Sequence, residues 1–202
     1  MAIVDYSSLQ SAVAAYLHRD DLTTVIPDFI TLAEARLNRR LRIRAMENRA
    51  SGTASGGLIA LPAGYREARS LHIASGGAYR RLDYVTPEQA GLYIDNGSPT
   101  AFTVIGSNIE ILPAADSDYR LVYYKALDPL ADGQNWLIVN APDVYLYAAL
   151  LEAAPHIKAD QRLQVWQTML ETAISDLEAE DRAGALGGNT IGIKTDNPVR
   201  LG

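Results

Sequence analysis

Cysteine is absent from the 202 residues, which excludes disulfides, thiolate metal sites, thiol nucleophiles and dithiol redox motifs. Histidine is scarce: His18, His72 and His156 stand in three separate segments. None has a His or carboxylate partner at the helical spacing of a His-Glu-x-x-His zinc site. A Gly-rich phosphate loop ending in Lys-Ser/Thr is missing, and so is a Gly-x-Ser-x-Gly elbow. No apolar run approaches the ~18–20 residues needed to cross a bilayer, and Met1 to Tyr16 lacks the basic and apolar stretches of a secretory signal. No internal repeat is found. The expectation is a protein with no metal, no cofactor and no membrane segment.

What is present suits one folded domain. Hydrophobic residues make up 48% and charged residues 21%, an ordinary globular balance. A chain of this length buries about 70% of the surface its unfolded form exposes, so it needs no covalent staple. The net charge of −6 argues against a protein that coats DNA. The charge is unevenly spread. Residues 1–81 hold 11 Lys/Arg against 7 Asp/Glu, a net +4, and residues 82–202 hold 7 against 17, a net −10. Such a split fits a molecule with two different faces, or simply one Arg-rich and one acidic helix.

Periodicity divides the chain in three. Ser7 and Ser8 are N-cap candidates for a helix of about 7–18. A second helix, about 24–44, carries Pro27 in its first turn and an apolar stripe of Ile26, Ile30, Ala33, Leu37 and Leu41. Its last turns hold Arg39, Arg40, Arg42 and Arg44, where cations oppose the helix dipole at ~0.3–1 kcal/mol each. The middle third changes period. Gly52 to Gly57 reads as a turn. Short strands are expected at Leu58–Pro62, Arg69–Ile73, Arg80–Val85, Phe102–Ile105, Ile109–Leu112 and Tyr119–Tyr124, with a short helix from Pro87 to Ile94 capped by Thr86. Close, regular spacing implies an antiparallel region. The last third returns to helix. Segment 142–155 is apolar almost all round, hence buried on more than one side, and Pro155 is expected to end it. Segment 160–182 carries the seam Leu163, Trp166, Leu170, Ala173 and Leu177. From Gly184 to Gly202 the sequence is Gly-rich and polar, a flexible arm that cannot fold alone. The fold class expected is α+β, mainly α: an antiparallel helical bundle with a β-rich insertion at about 50–138.

Three features could carry function. Glu34 or Glu47 could join a carboxylate pair for glycoside hydrolysis, although spacing alone does not bring two carboxyls together. Arg36, Arg39, Arg40 and Arg44 could meet a neighbouring subunit, an acidic partner or phosphates, or could be solvated helix residues; no aromatics interleave with them to stack bases. Ile191, Gly192, Ile193 and Lys194 in the arm could add a strand to a partner's sheet edge.

Particular stretches resemble a known family. Tyr6-Ser7-Ser8-Leu9-Gln10, Leu17-His18-Arg19-Asp20-Asp21-Leu22, Ile26-Pro27-Asp28-Phe29-Ile30 and Leu32-Ala33-Glu34-Ala35-Arg36-Leu37-Asn38-Arg39 resemble the N-terminal helices of tailed-bacteriophage head-to-tail adaptor proteins, the connector or head-completion proteins that include the podovirus tail-accessory type. Leu61-Pro62-Ala63-Gly64-Tyr65-Arg66-Glu67 is similar to the start of their β-insert, and Tyr145–Ala154 to their third helix. The resemblance implies an adaptor domain at 1–183 and an arm at 184–202 that reaches onto portal subunits. It also implies a ring under the twelve-fold portal, tail or nozzle proteins on the far side, and a lumen that passes DNA without binding it specifically. The place implied is the virion's head–tail junction, with the host cytoplasm before assembly. A non-enzymatic structural protein is the first reading. A tail-associated peptidoglycan hydrolase and a nucleic-acid-binding module using the Arg-rich helix stand as alternatives.

Overall fold

The computed structural model describes residues 2–93, 97–157 and 161–186. The chain opens with α1 (Tyr6–Leu17) and α2 (Ile26–Arg40). Asp5, rather than Ser7 or Ser8, caps α1: its carboxylate accepts the Ser8 N–H at 2.8 Å while the Ser8 hydroxyl accepts the Asp5 N–H at 2.9 Å. That reciprocal pair satisfies two of the orphan donors of a helix start, and the Ser8 N–H holds the Asp5 carboxyl below its ordinary range. The stripe of α2 is buried, Ile26, Ile30, Ala33 and Leu37 all facing inward with Leu41 just beyond. The helix stops at Arg40, because Leu41 is extended at φ −77° and ψ 134°. Arg42 and Arg44 therefore lie outside it, and the dipole argument does not reach them as helix residues. Arg42 acts on the helix end differently. Its Nη1 donates to the carbonyls of Asn38 (3.1 Å) and Leu41 (2.6 Å), closing the C-terminus as basic side chains can.

Seven strands follow: β1 (Glu47–Thr53), β2 (Leu58–Ala60), β3 (Tyr65–Ser75), β4 (Ala78–Tyr84), β5 (Ala101–Ile105), β6 (Asn108–Leu112) and β7 (Asp118–Lys125). Their order is β1-β7-β3-β4-β5-β6-β2. The two edge strands are consecutive in the chain, joined by Ala54–Gly57, so the connection draws the edges together and the sheet rolls into a nearly closed barrel. Gly57 sits at that seam with φ +76°. Its carbonyl accepts the Ile111 N–H at 2.8 Å, and a Cβ there would lie 2.8 Å from Ala114 Cα. Ile59, Leu71, Ile73, Leu82, Phe102, Ile109 and Leu121 point inward from six strands and form a core of their own.

This corrects the expectation of a mainly helical bundle. About 47% of the described residues are helical and 27% lie in strands, and the inserted sheet is a second body with its own core. Two local expectations also change. The segment read as a turn at Gly52 to Gly57 begins as β1, which pairs along its whole length with β7. Its sequence ENRASGT has little strand character, yet small Ala50 and Gly52 make room for Leu121 and the Tyr119 ring. One pair is parallel, β4 with β5 through Asp83↔Ala101 and Tyr84↔Phe102. The crossover that a parallel pair requires carries α3 (Pro87–Ala90), capped by Thr86 and shorter than the expected helix to Ile94.

After β7 the chain returns through α4 (Trp136–Asn140) to α5 (Pro142–Ile157) and α6 (Leu163–Leu186). The helix α5 is the axle of the helical region: α1, α2, α4 and α6 all pack on it, and Val144, Tyr145, Ala149, Leu150 and Ala153 are fully buried. Pro155 does not end it; His156 and Ile157 remain helical. So close to the helix end, proline removes one hydrogen bond rather than several. The seam of α6 meets α5 through Trp166, Leu170 and Ala173. The helix continues through Gly184, which abuts the Arg44 guanidinium, so that a Cβ there would displace the end of that side chain. Among the described residues no helix is long and apolar enough to cross a membrane.

Candidate functional site

The Arg-rich end of α2 is where sequence reasoning pointed first, and the fold gives most of it internal partners. Arg36 Nε donates to Glu152 of α5 at 2.6 Å. Arg40 grips Glu171 of α6 with two bonds of 2.6 Å, the bidentate geometry that makes arginine–carboxylate pairs specific. That grip lowers the Glu171 pKa. Arg44 meets Asp181 of α6 through its backbone N–H and its Nε, both at 3.0 Å. Arg42, besides closing α2, reaches Glu67 of β3 at 2.9 Å and so ties helix to sheet. Arg39 is exposed and has no partner among the described residues. The ladder therefore pairs basic residues of the first half with acidic residues of the second. Much of the charge split in the sequence is neutralised inside one protomer. Ile191, Gly192, Ile193 and Lys194 lie outside the described residues.

The carboxylates considered for hydrolysis are also engaged, and in different regions. Glu34 Oε1 accepts the Leu130 N–H at 2.8 Å and the Tyr145 hydroxyl at 3.2 Å. Tyr145 in turn accepts from Asn135 Nδ2 at 2.7 Å, which also donates to the Asp128 carbonyl at 2.8 Å. Asn38 Oδ1 accepts the Leu127 N–H at 2.7 Å. This network pins the loop after β7 across α2, and it satisfies backbone groups that burial would otherwise strand. Burial pushes the Glu34 carboxyl up, against the pull of the hydrogen bonds it accepts from Leu130 and Tyr145, and pushes the Tyr145 hydroxyl up as well, against the pull of its bond with Asn135. Glu47 is bound by Arg69 on the sheet.

The histidines take up unrelated tasks. His18 ends α1 in the left-handed conformation (φ 55°), His156 meets the Phe29 ring edge-on at 5.6 Å, and His72 lies on the outer sheet face. Among the described residues no group of three or more His, Cys, Asp or Glu could hold a metal. Tyr123 stacks on Tyr65 at 5.8 Å in the barrel, and Tyr124 packs toward the helical core.

Two of the concave surfaces among the described residues are lined by arginines of the helical region and of the sheet face. A groove of about 350 Å³ runs between α2, α5 and α6, with Leu37, Leu170 and Ile174 on its floor and Arg36, Arg40 and Glu171 on its rim. A shallower depression of about 390 Å³ lies on the sheet, lined by Arg49, Ser51, His72, Arg120 and Val122. Register explains the second. Ser51 pairs with Arg120, Arg120 with His72, and His72 with Arg81, so one row crosses β1, β7, β3 and β4 on the outer face. Arg49, Arg81 and Arg120 make no ion pair among the described residues; Arg120 lies over the Tyr79 ring, 3.8 Å from its centroid. Sequence reasoning missed this row. Its members are scattered over 70 residues of chain, and only the strand register brings them together.

The family model described as SU10 adaptor protein matches residues 4–192. A search of curated protein sequences returns no match.

Proposed function

The chain belongs to the SU10 adaptor protein family, phage structural proteins of the head–tail adaptor kind, and on that premise we propose that it forms a twelve-fold ring joining the portal vertex to the tail and continuing the DNA channel. Protomers assemble from the host cytoplasm onto the portal, and tail or nozzle proteins follow on the far face. The family match over nearly the whole chain carries this reading. The build supports it: a helical core and a barrel core, with Arg42 of the α2 end paired to Glu67 of β3, make a protomer that can bear load between two partners. The C-terminal arm, through Ile191, Gly192, Ile193 and Lys194, adds a strand to the portal. One such contact is weak, because ordering the backbone costs about 1–2 kcal/mol per residue. A ring that presents many arms binds tightly, since later contacts are effectively intramolecular.

Portal rings mixed with the purified protein and imaged by negative stain test this directly. A collar of adaptor density on the portal is expected, and a chain cut after Leu186 should keep its melting temperature but fail to co-sediment with portal rings. No collar with the full chain would overturn the ring, and full attachment of the cut chain would remove the arm from it.

A further inference from the structure

We propose that the cationic row on the outer sheet face docks on the exposed stripe of α6 of a second copy of this chain, a head-to-tail contact that rests on the ring reading above. The row runs Ser51, Arg120, His72, Arg81 across four adjacent strands. At ~4.8 Å per strand it is about 14 Å wide. Arg49 lies on the same face one register step away, opposite Val122. The Tyr79 ring holds Arg120 in place, so little side-chain freedom is lost when it meets a partner. Two carboxylates bound the row at its corners: Asp118, which accepts from the Thr53 hydroxyl at 2.6 Å, and Asp83 opposite Ser70. They confine the positive surface to a band rather than a broad field.

The occupant is argued from the other surface that the protomer leaves without partners. Val165, Met169, Thr172, Asp176 and Glu180 recur along α6 at spacings of 4, 3, 4 and 4, so they share one side of the helix, about 22 Å long at 1.5 Å per residue. All five are exposed, Val165 at 53% and Met169 at 45%. Asp176 and Glu180 have no ion-pair partner among the described residues, whereas Glu171 and Asp181, on another side of the same helix, bind Arg40 and Arg44. The stripe is thus apolar in its first half and acidic in its second. The sheet face offers the complement: Tyr79 and Val122 beside unpaired Arg81 and Arg120. Because the two surfaces differ, the contact is heterologous, the kind that closes into a ring when the rotation permits.

Two variants and their mixture test it. Sheet variant Arg81→Glu/Arg120→Glu and helix variant Asp176→Arg/Glu180→Arg are followed by sedimentation velocity at low and high salt, with circular dichroism to establish folding. The wild type should assemble at low salt and dissociate as salt rises. Each variant alone should remain monomeric. An equimolar mixture should assemble beyond a dimer, because the unchanged helix of the sheet variant meets the unchanged sheet of the helix variant, and the reversed helix meets the reversed sheet, so the two chains alternate. The chain carrying all four changes should assemble again. If the sheet variant misfolds, Arg81→Gln/Arg120→Gln should still weaken assembly and flatten its salt dependence. A sheet variant that assembles like the wild type overturns the contact and leaves the ring standing. A sheet variant that assembles normally but loses salt-dependent retention of duplex DNA overturns it in favour of a nucleic-acid face. A wild type that stays monomeric at low salt and the highest attainable concentration overturns both the contact and self-association of the free protein.

Discussion

In the helical region most arginines are engaged inside the protomer, Arg36, Arg40 and Arg44 on α5 and α6, while on the sheet Arg49, Arg81 and Arg120 face outward without a carboxylate. The two regions place the same residue type under different constraints. On α2 the guanidiniums sit one turn apart beside two acidic helices, and short distances settle the matter. On the outer face of β7 and β4 the alternation of strand side chains sends every second residue to solvent, and two carboxylates of the sheet are held by other residues, Asp118 by Thr53 and Glu47 by Arg69. A cluster of cations in sequence is therefore a poor guide to which cations are available. Availability is decided by what packs alongside.

The sharpest break in the comparison would come from the cores. Replacing Leu170 by Ala, at the centre of the α5–α6 contact, should cost about 2–5 kcal/mol in urea unfolding. The sheet should keep its near-ultraviolet signal until the same midpoint if the two cores melt together. A separate, earlier helical transition would show that the regions are energetically independent. Next in size is the barrel seam. Gly57→Ala would put a side chain in the left-handed region and against Ala114, at about 1–3 kcal/mol. Amide exchange should then accelerate in β2 and β6 while α5 stays protected; uniform acceleration would mean that closure of the barrel supports the helices too.

The sequence made some of this legible. The stripe of α2 is buried where its periodicity placed it, and the seam of α6 is buried at Trp166, Leu170 and Ala173, because a helix fixes which residues share a side; Leu163, at the start of that seam, is 42% exposed. The close strand spacing pointed to antiparallel neighbours, and hairpins form between β3 and β4 and between β5 and β6. Three things were not legible. β1 is held by backbone pairing with β7 rather than by its own residues. The end of α2 is set by Leu41 turning extended, which nothing in Arg39–Arg44 announces. The partners of the arginines and the row on the sheet depend on contacts between residues from 9 to 137 positions apart, and a reading that cannot place strands side by side weighs all the arginines alike. The mainly helical expectation failed for a related reason: seven strands, each unremarkable alone, gain a core only when they close on one another.

A smaller effect would sharpen the electrostatic side of the comparison. Burial raises the Glu34 pKa above its ordinary value near 4.5. A raised acid favours the folded state below its unfolded pKa, and that contribution is lost as pH rises through the folded value. Glu34→Gln keeps an acceptor for Leu130 and Tyr145 but cannot ionise. Relative to wild type, its melting temperature should be higher at pH 8 than at pH 4. An equal difference at both values would mean that the hydrogen bonds fully offset desolvation.

The central claim, that Arg36, Arg40 and Arg44 are neutralised on α5 and α6 while Arg49, Arg81 and Arg120 have no carboxylate among the described residues, is tested most directly by thermal unfolding of two triple variants at a concentration where all species are monomeric. Each lost pair in Arg36→Glu/Arg40→Glu/Arg44→Glu forfeits about 0–1 kcal/mol and sets like charges against Glu152, Glu171 and Asp181. With about 2–4 °C per kcal/mol for a chain of this size, the melting temperature should fall by several degrees. Arg49→Glu/Arg81→Glu/Arg120→Glu should melt within about 2 °C of wild type, the range of surface substitutions. A larger fall in the sheet variant than in the helix variant would contradict the account.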